Sequence, residues 1–444
     1  VTDGGLGALT AVEAAERIAN GDFSAEEYTS VFLERIATLD GKVHAFVHHD
    51  PDDALRQARA LDERRRNGLA IGPLHGIPVG IKDIFDTADY KTECGSPLLK
   101  GRQPYQDATA VARLREAGAV VIGKTVLTEF AYFTPGPTRN PHDLERTPGG
   151  SSSGSAAAVA AGLAPLAIGS QTNGSMIRPA AFCGVYGVKP SHGMISRHGA
   201  LELSRTLDHV GVFARSLADA ALILDVLAGH DPNDPDTRAV AAPDFLEMAF
   251  AEAPLPPRFA FVRTPIWDKA DADARAAFEG LAASLGKQAA AIDLPAAYAA
   301  AWDDQRAIMA VDMAHNLNPA LERGGELLSQ ALRDFMAEGR GVTATRYLAA
   351  RDNARGYARG IERLFDEYDA IITPATVGVA PKGEATGNPA FCSLWTLTGL
   401  PALSLPLLTG EGGMPLGVQL IGAAGDDARL LRTANWLIKK LAAA

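Results

Sequence analysis

Apolar residues recur at three-to-four spacing from Leu9 to Asn20 and again from Ala25 to Leu39, the pattern of amphipathic helices. Thr10 with Glu13, and Ser24 with Glu27, have the spacing of capping boxes at the two starts. Ala54 to Asn67, rich in Ala and Arg, predicts a third helix. The texture then changes. Gly76-Ile-Pro-Val-Gly-Ile-Lys82-Asp83 reads as a short strand running into polar residues. Ala108–Ala117 predicts a helix and Ala119–Ile122 a strand. Ser155–Gly162 predicts a helix filled with Ala, the best helix former, and ended by Gly. Residues 240–365 read as mostly helical, with Arg/Glu-rich faces and Ala-rich stripes. Strands return at Ala370–Thr373, Ala402–Pro406 and Gly417–Gly422, and a helix over Ala428–Ala443 closes the chain. Strands alternating with helices predict an α/β layer fold around a large central sheet. With no internal repeat and no long linker, residues 1–444 are expected to form one domain. Its parts would be a core over about 70–235, a variable helical region over about 240–365, and C-terminal strands and helix over about 366–444.

Composition narrows the function. Apolar residues make up 47% and charged residues 21%, the balance of a globular enzyme. The net charge of −11 argues against nucleic acid or an anionic membrane as a partner, since both call for clustered Lys and Arg. Cys94, Cys183 and Cys392 are too few and too scattered for a zinc site or a disulfide framework, so no metal or cofactor is expected. Their odd number fits a reducing, cytoplasmic compartment, and Cys183, among apolar neighbours, reads as a packing residue. No stretch reaches the ~20 apolar residues of a membrane span, and no signal peptide is legible. The sequence leaves a homodimer open.

Three motifs compete for the chemistry. Gly118-Ala-Val-Val-Ile-Gly123-Lys124-Thr125 fits the P-loop pattern, but a helix precedes it and its middle reads as a buried strand, where a P-loop needs a flexible phosphate-wrapping loop. Gly150-Ser151-Ser152-Ser153-Gly154 fits the nucleophile elbow of an α/β-hydrolase esterase, which would make Ser152 the nucleophile, with His198 or His209 as partner. Thr147-Pro148-Gly149 is a poor strand to lead into such an elbow. The third reading spans Thr147–Pro190. It has two serines in Gly-rich backbone, Ser151 and Ser175, and looks upstream to Lys82 at the end of its apolar strand.

Here the chain resembles the amidase signature family. The resemblance rests on Gly76–Asp83, Asn140-Pro141, Thr147–Gly162, Gly174-Ser175, Pro179–Gly184 and Lys189-Pro190, and downstream on Asp369–Pro374, Thr398–Ala402 and Leu416–Gly422. It implies an α/β fold with a large mixed sheet of about eleven strands sandwiched by helices. It also implies a Ser–cisSer–Lys triad: Ser175 as nucleophile, Ser151 after a cis peptide bond as proton bridge, and Lys82 as base. Backbone N–H groups of Thr172, Asn173, Gly174 and Ser175 would form the oxyanion hole. The physics suits these roles. A serine needs a base to take its proton, and a lysine serves near neutral pH only if burial lowers its pKa, which Val79 and Ile81 favour.

The chain departs from the family pattern around Ser175. Where relatives have Asp-x-Gly-Gly-Ser followed by Arg two residues on, this chain has Gln171-Thr-Asn-Gly-Ser175 with Ile177, and Arg178 one later. Either a neutral arrangement replaces an acid–base pair, or Arg178 takes over in a shifted register. A short segment between Phe130 and Asn140 suggests an open mouth suited to aryl substrates. Tyr132, Phe133, Gly150, Trp395 and Leu397 are candidate pocket residues, and neutral surroundings of Ser175 favour an uncharged substrate. The expected partner is a small-molecule amide, anilide or carbamate (urethane). The glutaminase subunit of a tRNA amidotransferase is disfavoured, because no basic tRNA-facing character is visible. A ligand-binding pseudoenzyme on the same fold is the non-enzymatic alternative.

Overall fold

The computed structural model describes residues 5–443. Eleven strands form one mixed sheet: β1 (Phe46–His48), β2 (Pro78–Lys82), β3 (Val120–Thr125), β4 (Leu166–Gln171), β5 (Tyr186–Lys189), β6 (His209–Ala214), β7 (Phe259–Arg263), β8 (Ala289–Asp293), β9 (Ala370–Pro374), β10 (Ala402–Thr409) and β11 (Pro415–Ile421). Their spatial order is β1-β3-β2-β4-β6-β5-β10-β11-β9-β7-β8. Helices sandwich the sheet. The strands β2, β3, β6 and β9 are buried at every position, which is why β2, β3 and β9 read as short apolar runs rather than alternating ones.

The early helices form where the pattern placed them: α1 (Ala11–Asn20), α2 (Ala25–Val43) and α3 (Pro51–Arg66). Both capping boxes are made, with Thr10 and Ser24 each accepting from the backbone three residues on and the Glu side chain returning the bond. The 240–365 region departs from its helical reading, because β7 and β8 lie inside it and extend the sheet. The Ala289-Ala-Ala-Ile run has the composition of a helix, but parallel pairing with β7 at the sheet edge overrides that propensity.

Strand order puts the chemistry together. β2 runs parallel to both β3 and β4, with Ile81 opposite Ile168, so the ends of β2 and β4 emerge side by side. Lys82 ends β2, and Ser170 lies near the end of β4. One helix, α4 (Thr109–Glu116), precedes β3, and a buried helix of small residues, α5 (Ser153–Ala160), packs beneath the Gly-Ser loop. Gly154 is required in α5: a Cβ there would sit 2.2 Å from the Ala45 carbonyl oxygen. After β4 a tight loop carries Ser175 into α6 (Ile177–Cys183).

Candidate active site

Lys82 is fully buried, and its Nζ lies 2.9 Å from Ser151 Oγ and 2.8 Å from Ser170 Oγ. Burial lowers its pKa to about 7, while Asp208 and Cys94 pull it back up. Asp83, next in sequence, turns instead to Lys124, 3.1 Å away, in a second fully buried pair. The peptide bond Gly150–Ser151 is cis. Ser151 and Ser175 line one small cavity with Thr128, Tyr132, Phe133 and Arg178.

The loop after β4 is held from below and from the side. Gln171 Oε1 accepts from the N–H groups of Met176 (2.7 Å) and Ile177 (3.0 Å), and its Nε2 donates to Thr396. Thr396 Oγ1 donates to the Asn173 carbonyl, and Thr172 Oγ1 donates to the buried Asp208 at 2.5 Å. Burial raises Asp208 to about 6. Among the described residues, no protein acceptor takes the N–H groups of Thr172, Asn173, Gly174 or Ser175. They are free donors beside the serine hydroxyl, the feature an oxyanion site requires.

The amidase sequence profile matches residues 27–431. The chain belongs to the amidase family. Several solved structures share its fold closely. A chain from a vestigial complex tied to the origins of an s-triazine catabolic enzyme superimposes with a TM-score of 0.90 at 33% identity, covering 97% of this chain and 98% of that one. The peptide amidase of Stenotrophomonas maltophilia gives a TM-score of 0.85 at 31% identity, covering 98% and 97%. A glutamyl-tRNA(Gln) amidotransferase subunit of Acidothermus cellulolyticus is 37% identical over 95% of this chain and 92% of its own. This amidase is accordingly a C–N hydrolase of the type that uses a serine nucleophile, a serine bridge and a lysine base.

The rival motifs find no support in the amidase. Lys124 is buried on β3, where its Nζ donates to Phe85 O, Thr87 Oγ1 and Thr92 Oγ1, leaving nothing for a phosphate. Ser152 Oγ is buried against Ser170, accepting from its N–H at 3.3 Å, and no strand leads into it. His209 is buried, its Nδ1 bonded to the Leu207 carbonyl rather than to a serine. Cys94, Cys183 and Cys392 are free and buried, and Cys183 packs within the core as its neighbours suggested. Among the described residues no helix is long and apolar enough to cross a membrane.

The pocket differs from the expected one. Tyr132 and Phe133 line it, and the Gly150 carbonyl meets Arg178 at its floor. Trp395 and Leu397 do not: both lie in the hydrophobic core on a buried helix, Ala390–Leu397, and it is Cys392, Ser393 and Thr396 of that helix that reach the loop. Nor is the mouth open. Tyr132 stacks on Phe335 at 4.6 Å and Phe133 packs edge-on against Tyr132, leaving about 10 Å³ free over Ser175, roughly the room of one water. A larger cavity of about 260 Å³ touches Ser170, Thr172 and Asp208 but neither Ser151 nor Ser175.

Arg178 settles the question left by the changed motif. It forms no ion pair among the described residues, and the neutral Gln171 amide takes the N–H groups of Met176 and Ile177, so a neutral arrangement stands in place of an acid–base pair. The expectation of neutral surroundings fails in turn, since the Arg178 guanidinium itself faces the cavity. Sequence reasoning misses Ser170, Asp208 and Thr396 as site residues. Ser170 is within its reach: once β2 and β4 are paired in parallel, it is the polar residue nearest Lys82.

Proposed function

We propose that the chain hydrolyses small amides, with anilides and urethanes as chemically equivalent candidates, through an acyl-enzyme on Ser175. Lys82 is the base and Ser151 the proton bridge. The observation carrying this reading is the 2.9 Å contact of the buried Lys82 Nζ with Ser151 Oγ, at a lysine whose pKa is brought to about 7. Neutral Lys82 takes the Ser151 proton as Ser151 takes that of Ser175. The Ser175 oxygen bonds to the carbonyl carbon, and the displaced electron pair rests on an oxyanion facing the N–H groups of Thr172, Asn173, Gly174 and Ser175. Collapse breaks the C–N bond, and the proton returns through Ser151 to the leaving nitrogen. Water then attacks the ester by the same relay in reverse, releasing the acid and restoring the Ser175 hydroxyl. Each oxyanion donor is worth roughly 10²–10³ in rate. Tyr132 and Phe133 would meet the apolar part of the substrate and must shift to admit it.

Labelling with a fluorophosphonate, followed by peptide mass spectrometry, tests the assignment. Label on Ser175, and its loss of rate in Lys82→Ala, are expected. Label on Ser152, indifferent to Lys82, would transfer the chemistry to the elbow motif.

The pH profile follows from the lysine. Only neutral Lys82 accepts a proton, so kcat/KM on a neutral amide should fall about tenfold per pH unit below about 7 and level off above it. A profile flat from about pH 5 to 8 would remove Lys82 as the base.

A further inference from the structure

Arg178 is 3% exposed, yet its guanidinium is only partly used. One nitrogen, Nη2, donates to the Gly150 carbonyl at 2.6 Å, while Nε and Nη1 have no partner. The face of the group is covered by the Phe133 ring, 5.7 Å from Cζ to the ring centroid, so the in-plane N–H edge is what remains free. Gln171, which occupies the sequence position where relatives carry an acid, spends both ends of its amide on the loop and on Thr396. Arg178 lines the same cavity as Ser151 and Ser175, three residues beyond the latter on the first turn of α6.

A buried guanidinium with no counter-charge is costly, and a cost of this kind is offset when the missing anion arrives with a ligand. Burial draws the pKa of Arg178 down to about 10, which still leaves it charged at neutral pH. The planar fork of N–H groups matches a carboxylate better than any neutral acceptor.

We propose that Arg178 binds a carboxylate carried by the substrate, so that this amidase prefers compact amides with an acid group within a few bonds of the scissile carbonyl. The proposal rests on the assignment of Ser175 as nucleophile, because it is the shared cavity that brings anion and scissile bond together. Arg178 acts as a specificity-determining residue. Its bond to the Gly150 carbonyl also braces the segment before Ser151, so substrate preference, rather than rate alone, is the quantity to read.

The test compares acid-bearing amides, both monoamides of short dicarboxylic acids and N-acyl amino acids, with their methyl esters. On the wild type, kcat/KM should favour the acid over its ester by about 30-fold or more for at least one series. In Arg178→Gln that ratio should collapse toward one, and in Arg178→Lys it should be intermediate. A fall equal on acid and ester, with the ratio kept, would make Arg178 a brace only and overturn the proposal. A measurement on the unaltered protein guards against a variant that fails to fold. Malonate, succinate or glutarate should slow fluorophosphonate labelling of Ser175, whereas the matching diamides should not. Protection by neither set, or equally by both, overturns the proposal while leaving the labelled Ser175 in place. Absence of both label and turnover overturns the catalytic assignment as well.

Discussion

Lys82→Met will lower kcat/KM by about 10⁴-fold or more and will raise the melting temperature of the protein. The two effects have one cause. Lys82 sits at the end of β2 with no exposure, and burial brings its pKa to about 7 from an ordinary 10.5. Between those values the unfolded chain binds a proton that the folded chain rejects, so the wild type gains stability as pH rises through this window. Below about 7 the lysine is charged in both states and its full desolvation cost weighs on the fold. Methionine keeps much of the stem volume and has no charge to desolvate. It leaves Ser151 Oγ and Ser170 Oγ without their shared donor, which subtracts part of the gain. Replacing buried charge by apolar volume is often worth about 1–4 kcal/mol. Calorimetry should therefore show a higher Tm for the variant at about pH 6, with the gap closing toward about pH 10. A variant less stable than wild type at the lower pH, or one keeping above roughly a hundredth of the activity, would contradict the poised, desolvated base.

The contrast between what the sequence reveals and what it hides follows from where information is local. Lys82, Ser151 and Ser175 sit in short runs of unusual composition, and their roles are tied to turns and strand ends that those runs themselves build. The buried strands β2, β3 and β9 are legible as apolar runs for the same reason. β8 is not, because Ala289-Ala-Ala-Ile carries no strand signal of its own and takes its conformation from β7. Asp208, 36 positions from Thr172, reaches it only through the antiparallel pairing of β4 with β6. Trp395 shows the opposite error: a large aromatic beside a motif invites a pocket role, but its helix turns that side chain into the core. Phe133 is legible as a pocket residue. What is not legible is that it and Tyr132 fill the mouth, since this depends on Phe335 from a distant helix. Arg178 lies in plain view as a one-residue displacement. Its meaning needs the structure, because only there do two unpartnered guanidinium nitrogens, with no ion pair among the described residues, become visible.

Lys124→Met will destabilise the fold by about 3–5 kcal/mol. Lys124 and Asp83 are 0% and 1% exposed, and burial pushes the lysine down and the carboxyl up against their mutual attraction. Their contact is ionic rather than a well-aligned hydrogen bond: Nζ is 3.1 Å from Oδ1, yet Oδ1 has no aligned donor. What holds Lys124 is its ring of acceptors, Phe85 O at 2.8 Å, Thr92 Oγ1 at 2.6 Å and Lys91 O at 3.2 Å. Asp83 is held in turn by the Glu93 N–H on Oδ2 at 3.0 Å. Removing the lysine strands a carboxyl next to the base and takes a donor from the Lys91 carbonyl, while Phe85 O keeps the Thr92 hydroxyl at 3.1 Å. Adding Asp83→Asn to Lys124→Met removes the stranded charge while keeping an acceptor for Glu93, so the double variant should recover part of the loss, and the lost bonds of Lys124 to the Lys91 carbonyl and the Thr87 and Thr92 hydroxyls should account for the remainder. Denaturant midpoints of the two variants measure this directly. A single variant as stable as wild type, or a double variant less stable than the single, would mean that the pair does not compensate charge beside Lys82. The same experiment bears on the Gly118–Thr125 motif, because a lysine whose removal unfolds the protein, and whose stability is indifferent to nucleotide, is a strut of the sheet rather than a phosphate ligand.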